Sequence, residues 1–277
     1  MSDPRSFVTA DGRAVRYFDT GGDPAAPVLI WHHGTPQTGA VIAPVAAEAA
    51  ARGFRVVSAA RPGYPGSDAL PGRSIADAAA DVLAIADALG VERFVTVGAS
   101  GGGPHALALA ALAGERVTAT VTLAGLAPFD HSPDWFSGMA SPDALRAALA
   151  GRDARLAFAE TAEFDPESFT SRDYETLNGA WGALGADAGA GAAEGPVGEA
   201  DDDLAYVAPW GVELRAVRTP VLLIQGGADR VVPAPHAAAM LERLPDAELW
   251  IRPREGHVSV LTALGVALDW TLAIRAE

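Results

Sequence analysis

Five consecutive residues, Gly98-Ala99-Ser100-Gly101-Gly102, put a serine midway between two glycines. A β-branched run at 93–98 precedes the serine and a helical pattern at 102–113 follows it, which makes the segment a strand-to-helix turn of the G-x-S-x-G kind. So sharp a turn strains the serine backbone, and side chains two positions away on either side would collide. Gly98 and Gly102 remove those side chains, and Pro104 fits a first helical turn, where a missing N–H leaves no hydrogen bond unmade. The chemistry served is nucleophilic attack by the Ser100 hydroxyl. A plain glycine-rich turn with a surface serine is the bland alternative. A third reading comes from Gly101-Gly102-Gly103-Pro104-His105-Ala106, which fits the dinucleotide pattern G-x-G-x-x-A. That fingerprint opens the first βαβ unit of its fold, whereas here nearly a hundred residues with their own strands come first. No acidic residue ends the next strand, 118–124, where a ribose would need one.

A serine hydroxyl is a weak nucleophile until a base takes its proton. Of the six histidines, His32 and His33 are adjacent at a strand end, His105 lies on the helix after the serine, His131 opens a long non-strand region and His236 falls in a helix. Only His257 follows the last strand, in the loop Pro253-Arg254-Glu255-Gly256-His257. The base needs a carboxylate to hold its tautomer and to stabilise the imidazolium that forms. Asp229 follows the strand at 220–225 in Gln225-Gly226-Gly227-Ala228-Asp229-Arg230-Val231-Val232-Pro233, and the chain order Ser, Asp, His favours it. Asp130, beyond the strand at 118–124, is the competing acid. For a developing oxyanion, the backbone N–H of Gly101 comes directly after the nucleophile. The second donor is assigned to Thr35 in His32-His33-Gly34-Thr35-Pro36, because Pro36 has no N–H.

Strands are expected at 14–19, 28–32, 55–59, 93–98, 118–124, 220–225 and 247–252, and helices at 40–52, 74–89, 102–113 and 235–244. Ser74, with Asp77 three residues on, forms a capping signal for the second helix. Apolar strands alternating with helices predict a mostly parallel sheet covered on both faces, an α/β fold. The alternation stops after Gly125 and resumes at Pro220. The expected organisation is a core of residues 1–126 and 216–277 with a helical insertion at 127–215 over the carboxyl edge of the sheet. Within it, 182–198 is almost all Gly, Ala and acidic residues and is expected to be a loop; Asp201, Asp202 and Asp203 are expected in a solvated turn.

Composition narrows the chemistry further. The chain of 277 residues has no cysteine, and its 20 basic residues are all arginine, which rules out thiolate chemistry, Schiff-base lysines and a P-loop lysine. A net charge of −15 disfavours nucleic acid and anionic membranes as partners. The first ten residues are polar and broken by Pro4, so the chain is expected to be cytoplasmic.

Three further segments widen the pattern. His33-Gly34-Thr35-Pro36 resembles an HGxP oxyanion loop, Arg61-Pro62-Gly63-Tyr64-Pro65-Gly66-Ser67-Asp68 resembles the loop after the next strand, and 226–233 resembles an acid loop, all of the α/β-hydrolase fold. The whole chain resembles a serine hydrolase of that family with a helical cap between the sixth and seventh strands. The resemblance implies esters as substrates through an acyl-enzyme, with proline-iminopeptidase-like amidases, lactonases, carbon–carbon bond hydrolases and a non-catalytic ligand-binding protein as alternatives. It implies no cofactor and no metal. Epoxide hydrolases and haloalkane dehalogenases carry aspartate where Ser100 stands, and dienelactone hydrolases need the absent cysteine. Trp135, Phe136, Met139, Phe158, Phe164, Trp181, Tyr206 and Trp210 are candidate walls of a pocket for a small or moderately sized apolar ester. Glu160 and Glu163 could take a substrate amine, although a solvated helix face is the simpler reading.

Overall fold

The computed structural model describes residues 2–274. Its strands are β1 (Arg5–Val8), β2 (Ala14–Asp19), β3 (Val28–His32), β4 (Arg55–Ala59), β5 (Phe94–Ala99), β6 (Val117–Leu123), β7 (Val221–Gly226) and β8 (Ala247–Arg252). They form one sheet in the order β1-β2-β4-β3-β5-β6-β7-β8. The β1–β2 and β2–β4 pairs are antiparallel and every later pair is parallel. Strands β3, β5 and β7 are buried along their whole length, as continuous apolar runs must be when helices cover both faces. The end strand β8 is only half-buried.

The helices are α1 (Ala43–Ala50), α2 (Ile75–Ala88), α3 (Gly102–Ala113), α4 (Asp143–Leu149), α5 (Arg152–Ala159), α6 (Ser171–Leu177), α7 (Gly182–Ala192), α8 (Val197–Tyr206), α9 (Pro235–Leu241) and α10 (Leu264–Ile274). The pleat sends alternate side chains to opposite faces. Val28 and Ile30 of β3 join one core with Ile75 of α2, Leu107 of α3 and Met240 of α9. Leu29 and Trp31 join the other core with Val45 of α1 and Leu268 of α10. Ser74 and Asp77 form the reciprocal cap of α2. Every strand and helix expected from the sequence is present, with boundaries shifted by at most a few residues. Outside residues 127–215, strand β1 and helix α10 were not foreseen. Strand β1 is short and almost wholly exposed, so it carries no apolar alternation, and α10 is too uniformly apolar to show a helical period.

From β3 the chain moves to β4 on one side and later returns to β5 on the other, so the strand order reverses between β3 and β5. In open α/β sheets that crevice, at the carboxyl ends of the strands, is where ligands bind. The chain after Thr35 continues to α1 on one face of the sheet, and the chain after Ser100 to α3 on the other. Helices α4 to α8 occupy the stretch between β6 and β7, which has no strand among the described residues.

Two expectations for that stretch are corrected. Residues 182–198 are not a loop, for they contain α7 and the start of α8. Alanine offsets the helix penalty of glycine, and Gly191 is required: a Cβ there would sit 2.6 Å from Gln37 Cα. Asp187 of α7 also accepts from the Thr38 hydroxyl at 2.5 Å. Asp201, Asp202 and Asp203 are not in a solvated turn but buried on α8. Their arginine partners, Arg152 for Asp201, Arg61 and Arg73 for Asp202 and Arg155 for Asp203, are remote in sequence, so no local pattern announces them.

Candidate active site

Strand β5 ends at Ala99 and α3 begins at Gly102, leaving Ser100 and Gly101 to turn the chain. Ser100 has φ of 52°, a left-handed conformation that costs a serine about 1–3 kcal/mol. Two backbone bonds hold it there: Ser100 N–H donates to the Leu123 carbonyl at 2.8 Å, and Gly103 N–H donates to the Ser100 carbonyl at 2.9 Å. A Cβ on Gly98 would overlap the Gly102 carbonyl, and one on Gly102 would overlap the His32 carbonyl. Both glycines are therefore steric requirements of the turn.

His257 lies in the loop after β8, with Nε2 2.9 Å from Ser100 Oγ and Nδ1 2.9 Å from Asp229 Oδ2. A carboxylate only accepts, so Nδ1 carries the proton and Nε2 is free to take the one from Ser100. Asp229 is placed by the turn after β7. Its Oδ1 accepts from the Val231 and Val232 N–H groups, each at 2.9 Å, and Gln225 Nε2 donates to Oδ2 at 3.1 Å. Asp130 is exposed and accepts from Ser132 N–H, apart from this chain of hydrogen bonds.

Burial alone would lower the pKa of His257, but the charge and hydrogen bond of Asp229, with the charge of Asp173, raise it above its ordinary 6.5. Asp173, on α6, also shapes the histidine loop. Its Oδ1 accepts from Val258 N–H at 2.8 Å and Ser259 N–H at 2.7 Å, and a Cβ on Gly256 would run into its carboxylate.

The two candidate oxyanion donors flank Ser100. Among the described residues, neither the Thr35 nor the Gly101 N–H donates to another protein atom. The Gly34 carbonyl, in the same peptide plane as Thr35 N–H, accepts from Arg61 Nη2 at 3.0 Å and from His33 Nδ1 at 2.7 Å. Burial and the nearby Arg61 charge keep His33 well below 6.5, hence neutral, and its Nε2 accepts from Arg61 N–H at 3.2 Å. The proton is therefore on Nδ1. In a trans peptide the N–H points opposite to the C=O, so these donors turn Thr35 N–H away from the Arg61 side.

Residues 27–264 match the alpha/beta hydrolase fold family. The chain belongs to that family. Among solved structures it is similar to a hydrolase from Pseudomonas aeruginosa PA01, at 24% identity and TM-score 0.74 with 99% of each chain covered. It is also similar to a thermophilic esterase from Thermogutta terrifontis, at 24% identity and TM-score 0.71, covering 99% of this chain and 97% of that one. An enol-lactonase from Burkholderia xenovorans LB400 shares 21% identity at TM-score 0.73, covering 99% of this chain and 100% of the other. No curated protein sequence matches the chain.

In this hydrolase-fold chain a cavity of about 450 Å³ opens onto Ser100 and His257. Its apolar walls come from Phe164, Phe169, Leu177, Leu184, Val231 and Leu261, and Gly185 and Ala188 of α7 also line it. Of the eight side chains expected to wall a pocket only Phe164 does so, which corrects that expectation for the other seven. Trp135 packs on His236 at 4.7 Å between ring centroids and donates to the Ala127 carbonyl. Phe136 and Met139 belong to the α2–α3 core, and Phe158 lies under the Arg155 guanidinium. Trp181 is buried in the α1–α10 core, and Trp210 borders a separate surface cavity with Arg215 and Arg243. Large aromatic side chains gain most from full burial, so they were claimed by packing rather than by the crevice.

Glu199 borders the crevice but is paired with Arg155 at 2.7 Å, while Glu160 and Glu163 are exposed and outside it. Gln37, Arg61, Asp173 and Gln225 support the site without having been singled out from the sequence. Only Arg61 had a signal, its place in the loop after β4. Among the described residues no cluster of three metal-ligating side chains occurs, and no helix is long and apolar enough to cross a membrane.

Proposed function

We propose that this chain is a serine hydrolase that cleaves carboxylic esters with small to moderately sized apolar groups through an acyl-enzyme. The observation carrying this reading is the unbroken hydrogen-bond chain Ser100–His257–Asp229 opening onto an apolar crevice. His257 Nε2 takes the Ser100 proton as Oγ attacks the ester carbonyl. The negative charge that develops on the carbonyl oxygen is met by Thr35 and Gly101 N–H, a donor of this kind being worth about 3–4 kcal/mol. Protonated His257 then passes the proton to the leaving alcohol, and water activated by the same imidazole releases the acid. Asp229 stabilises the imidazolium at both stages. Residues 127–215 serve as a cap that closes the crevice over the substrate.

Esters are favoured over amino-terminal peptides by one feature. The carboxylate bordering the crevice, Glu199, is tied to the Arg155 guanidinium, so among the described residues no unpaired carboxylate lines the crevice to hold a substrate amine. An active-site phosphonate should label wild type at Ser100, and a panel of esters, lactones and aminoacyl amides should show the esters turned over fastest. Ser100→Ala should abolish both turnover and labelling with Tm unchanged. Labelling at another serine, or none in a folded wild type, would defeat the proposal.

A further inference from the structure

We propose that Asp202 and Tyr206 of α8 are positioning residues that clamp the Thr35 and Gly101 segments of the oxyanion site together. The inference rests on the hydrolase reading above. Asp202 is wholly buried, and it is the hub of a cluster that reaches the reacting groups in two steps. Arg61 binds it through Nε at 3.0 Å and Nη2 at 2.6 Å, Arg73 through Nη2 at 2.5 Å, and Tyr64 donates to it at 2.7 Å. Thr35 Oγ1 donates to its Oδ2 at 2.7 Å. The same Arg61 donates to the His33 carbonyl at 2.5 Å and the Gly34 carbonyl at 3.0 Å, and the latter contact sets the plane carrying Thr35 N–H. A carboxylate on α8 thus orients a guanidinium that in turn orients a backbone donor.

Tyr206, one helical turn along α8, holds the other side. Its one hydroxyl proton, with that of Thr35 given to Asp202, is shared between the Gly101 carbonyl at 3.0 Å and Thr35 Oγ1 at 2.9 Å, joining the turn after β5 to the loop after β3. His105 Nδ1 meets the same Gly101 carbonyl at 2.9 Å. The fit leaves no slack. A Cβ on Gly101 would meet Thr35 Oγ1 at 2.5 Å and overlap the Tyr206 hydroxyl. The charges are stable: Arg61 and Arg73 outweigh burial and hold the Asp202 carboxyl well below the usual range, while burial keeps Tyr206 a neutral donor. A backbone donor is useful only when aimed at the place where charge develops, and a shift of about 1 Å can cost about 10²-fold in rate. Asp202 and Tyr206 therefore act on catalysis without lining the crevice, and the seating of α8 and the readiness of the oxyanion site are one structural event.

Asp202→Asn is a poor test, since it would strip two buried guanidiniums of their carboxylate and endanger folding. Thr35→Val and Tyr206→Phe each remove one hydroxyl and keep every backbone N–H. Phosphonate labelling of wild type comes first, because its failure would remove the hydrolase reading rather than the clamp. With labelling established, each variant should lower kcat on an activated ester by about 10- to 100-fold, less than or equal to the loss of a whole oxyanion donor. KM should stay within about threefold, and the pH at which kcat/KM rises should not move, because His257 and Asp229 lie outside the cluster. Thr35→Ser should recover to within about threefold of wild type, and the double variant should lose less than the product of the two single losses, as members of one network do. A kcat within twofold of wild type in either variant, a loss confined to KM, or Thr35→Ser as slow as Thr35→Val would overturn the clamp. So would failure of both single variants to fold, which would make the hydroxyls structural only.

Discussion

Asp229 and Asp130 are both aspartates just beyond a strand end, and at the level of a single residue what separates them is their hydrogen-bond partners. Asp229 receives two backbone N–H groups and the Gln225 amide, which fixes its Oδ2 toward His257, whereas Asp130 is exposed. Asp229→Asn should lower kcat by roughly 10⁴, the loss seen when the orienting aspartate of a triad becomes an amide. Asp130→Asn should stay near wild type, and kinetics of both on one activated ester make the comparison. The same carboxylate sets a pH dependence. In the proposed mechanism neutral imidazole is the working base, and since its pKa is raised above 6.5, kcat/KM should rise with pH through one transition lying above 6.5. Asp173→Ala removes one of the charges that raise it and should move the transition down, which a pH profile of kcat/KM reads directly.

A helix built from glycine and alanine is justified by what it lies against. Helix α7 touches the loop after β3 at Gln37 through Gly191 and faces the crevice through Gly185 and Ala188. Gly191→Ala would drive a Cβ to 2.6 Å from Gln37 Cα, and overpacking of that kind costs about 1–3 kcal/mol, measurable as a lowered denaturant midpoint. Gly185 is different, for a Cβ there finds its nearest neighbour, Leu177 Cδ2, only 4.0 Å away. Gly185→Leu should fold normally yet fill part of the crevice. Its KM should climb for long-chain esters and change little for acetates, so a chain-length series distinguishes a wall of the substrate site from a neutral surface position.

Taken as a whole molecule, the protein ties its parts with buried carboxylates and buries four histidines, and together these groups decide its response to acid. Arg55 holds Asp19, the backbone amides of the His257 loop hold Asp173, and Arg61 and Arg73 hold Asp202, all three below the ordinary 3.8. A carboxyl whose folded pKa is depressed contributes stability above its unfolded value and loses it as pH falls through the folded one. Asp203 has the opposite sign: burial pushes it up to about 7, so acidification from about 7 toward 3.8 relieves a penalty. Burial also holds His32, His33, His105 and His236 below 6.5, so as pH falls through 6.5 the unfolded chain takes up protons that the folded one refuses. These four outnumber Asp203, so Tm should already fall between pH 7 and 5 and fall further below 3.8. Calorimetry across that range checks the sign, and Asp19→Asn should shallow the acid limb.

Much of this architecture was legible before any coordinates. Strand-to-helix alternation, the glycines around Ser100, the lone histidine after the last strand and the glycine-bearing turn of Asp229 are local signals, because each arises from backbone geometry within a few residues. Those signals determined the α/β class and nominated Ser100, His257 and Asp229. Tertiary structure alone decided what surrounds them. Asp202 reads as part of an acidic run until Arg61 and Arg73, over a hundred residues earlier, are folded against it. Residues 182–198 read as a loop until Gln37 supplies the surface that demands glycine. Apart from Phe164 the crevice walls were misassigned, because composition reveals which side chains seek burial, whereas which of them end beside Ser100 depends on contacts between elements distant in the chain.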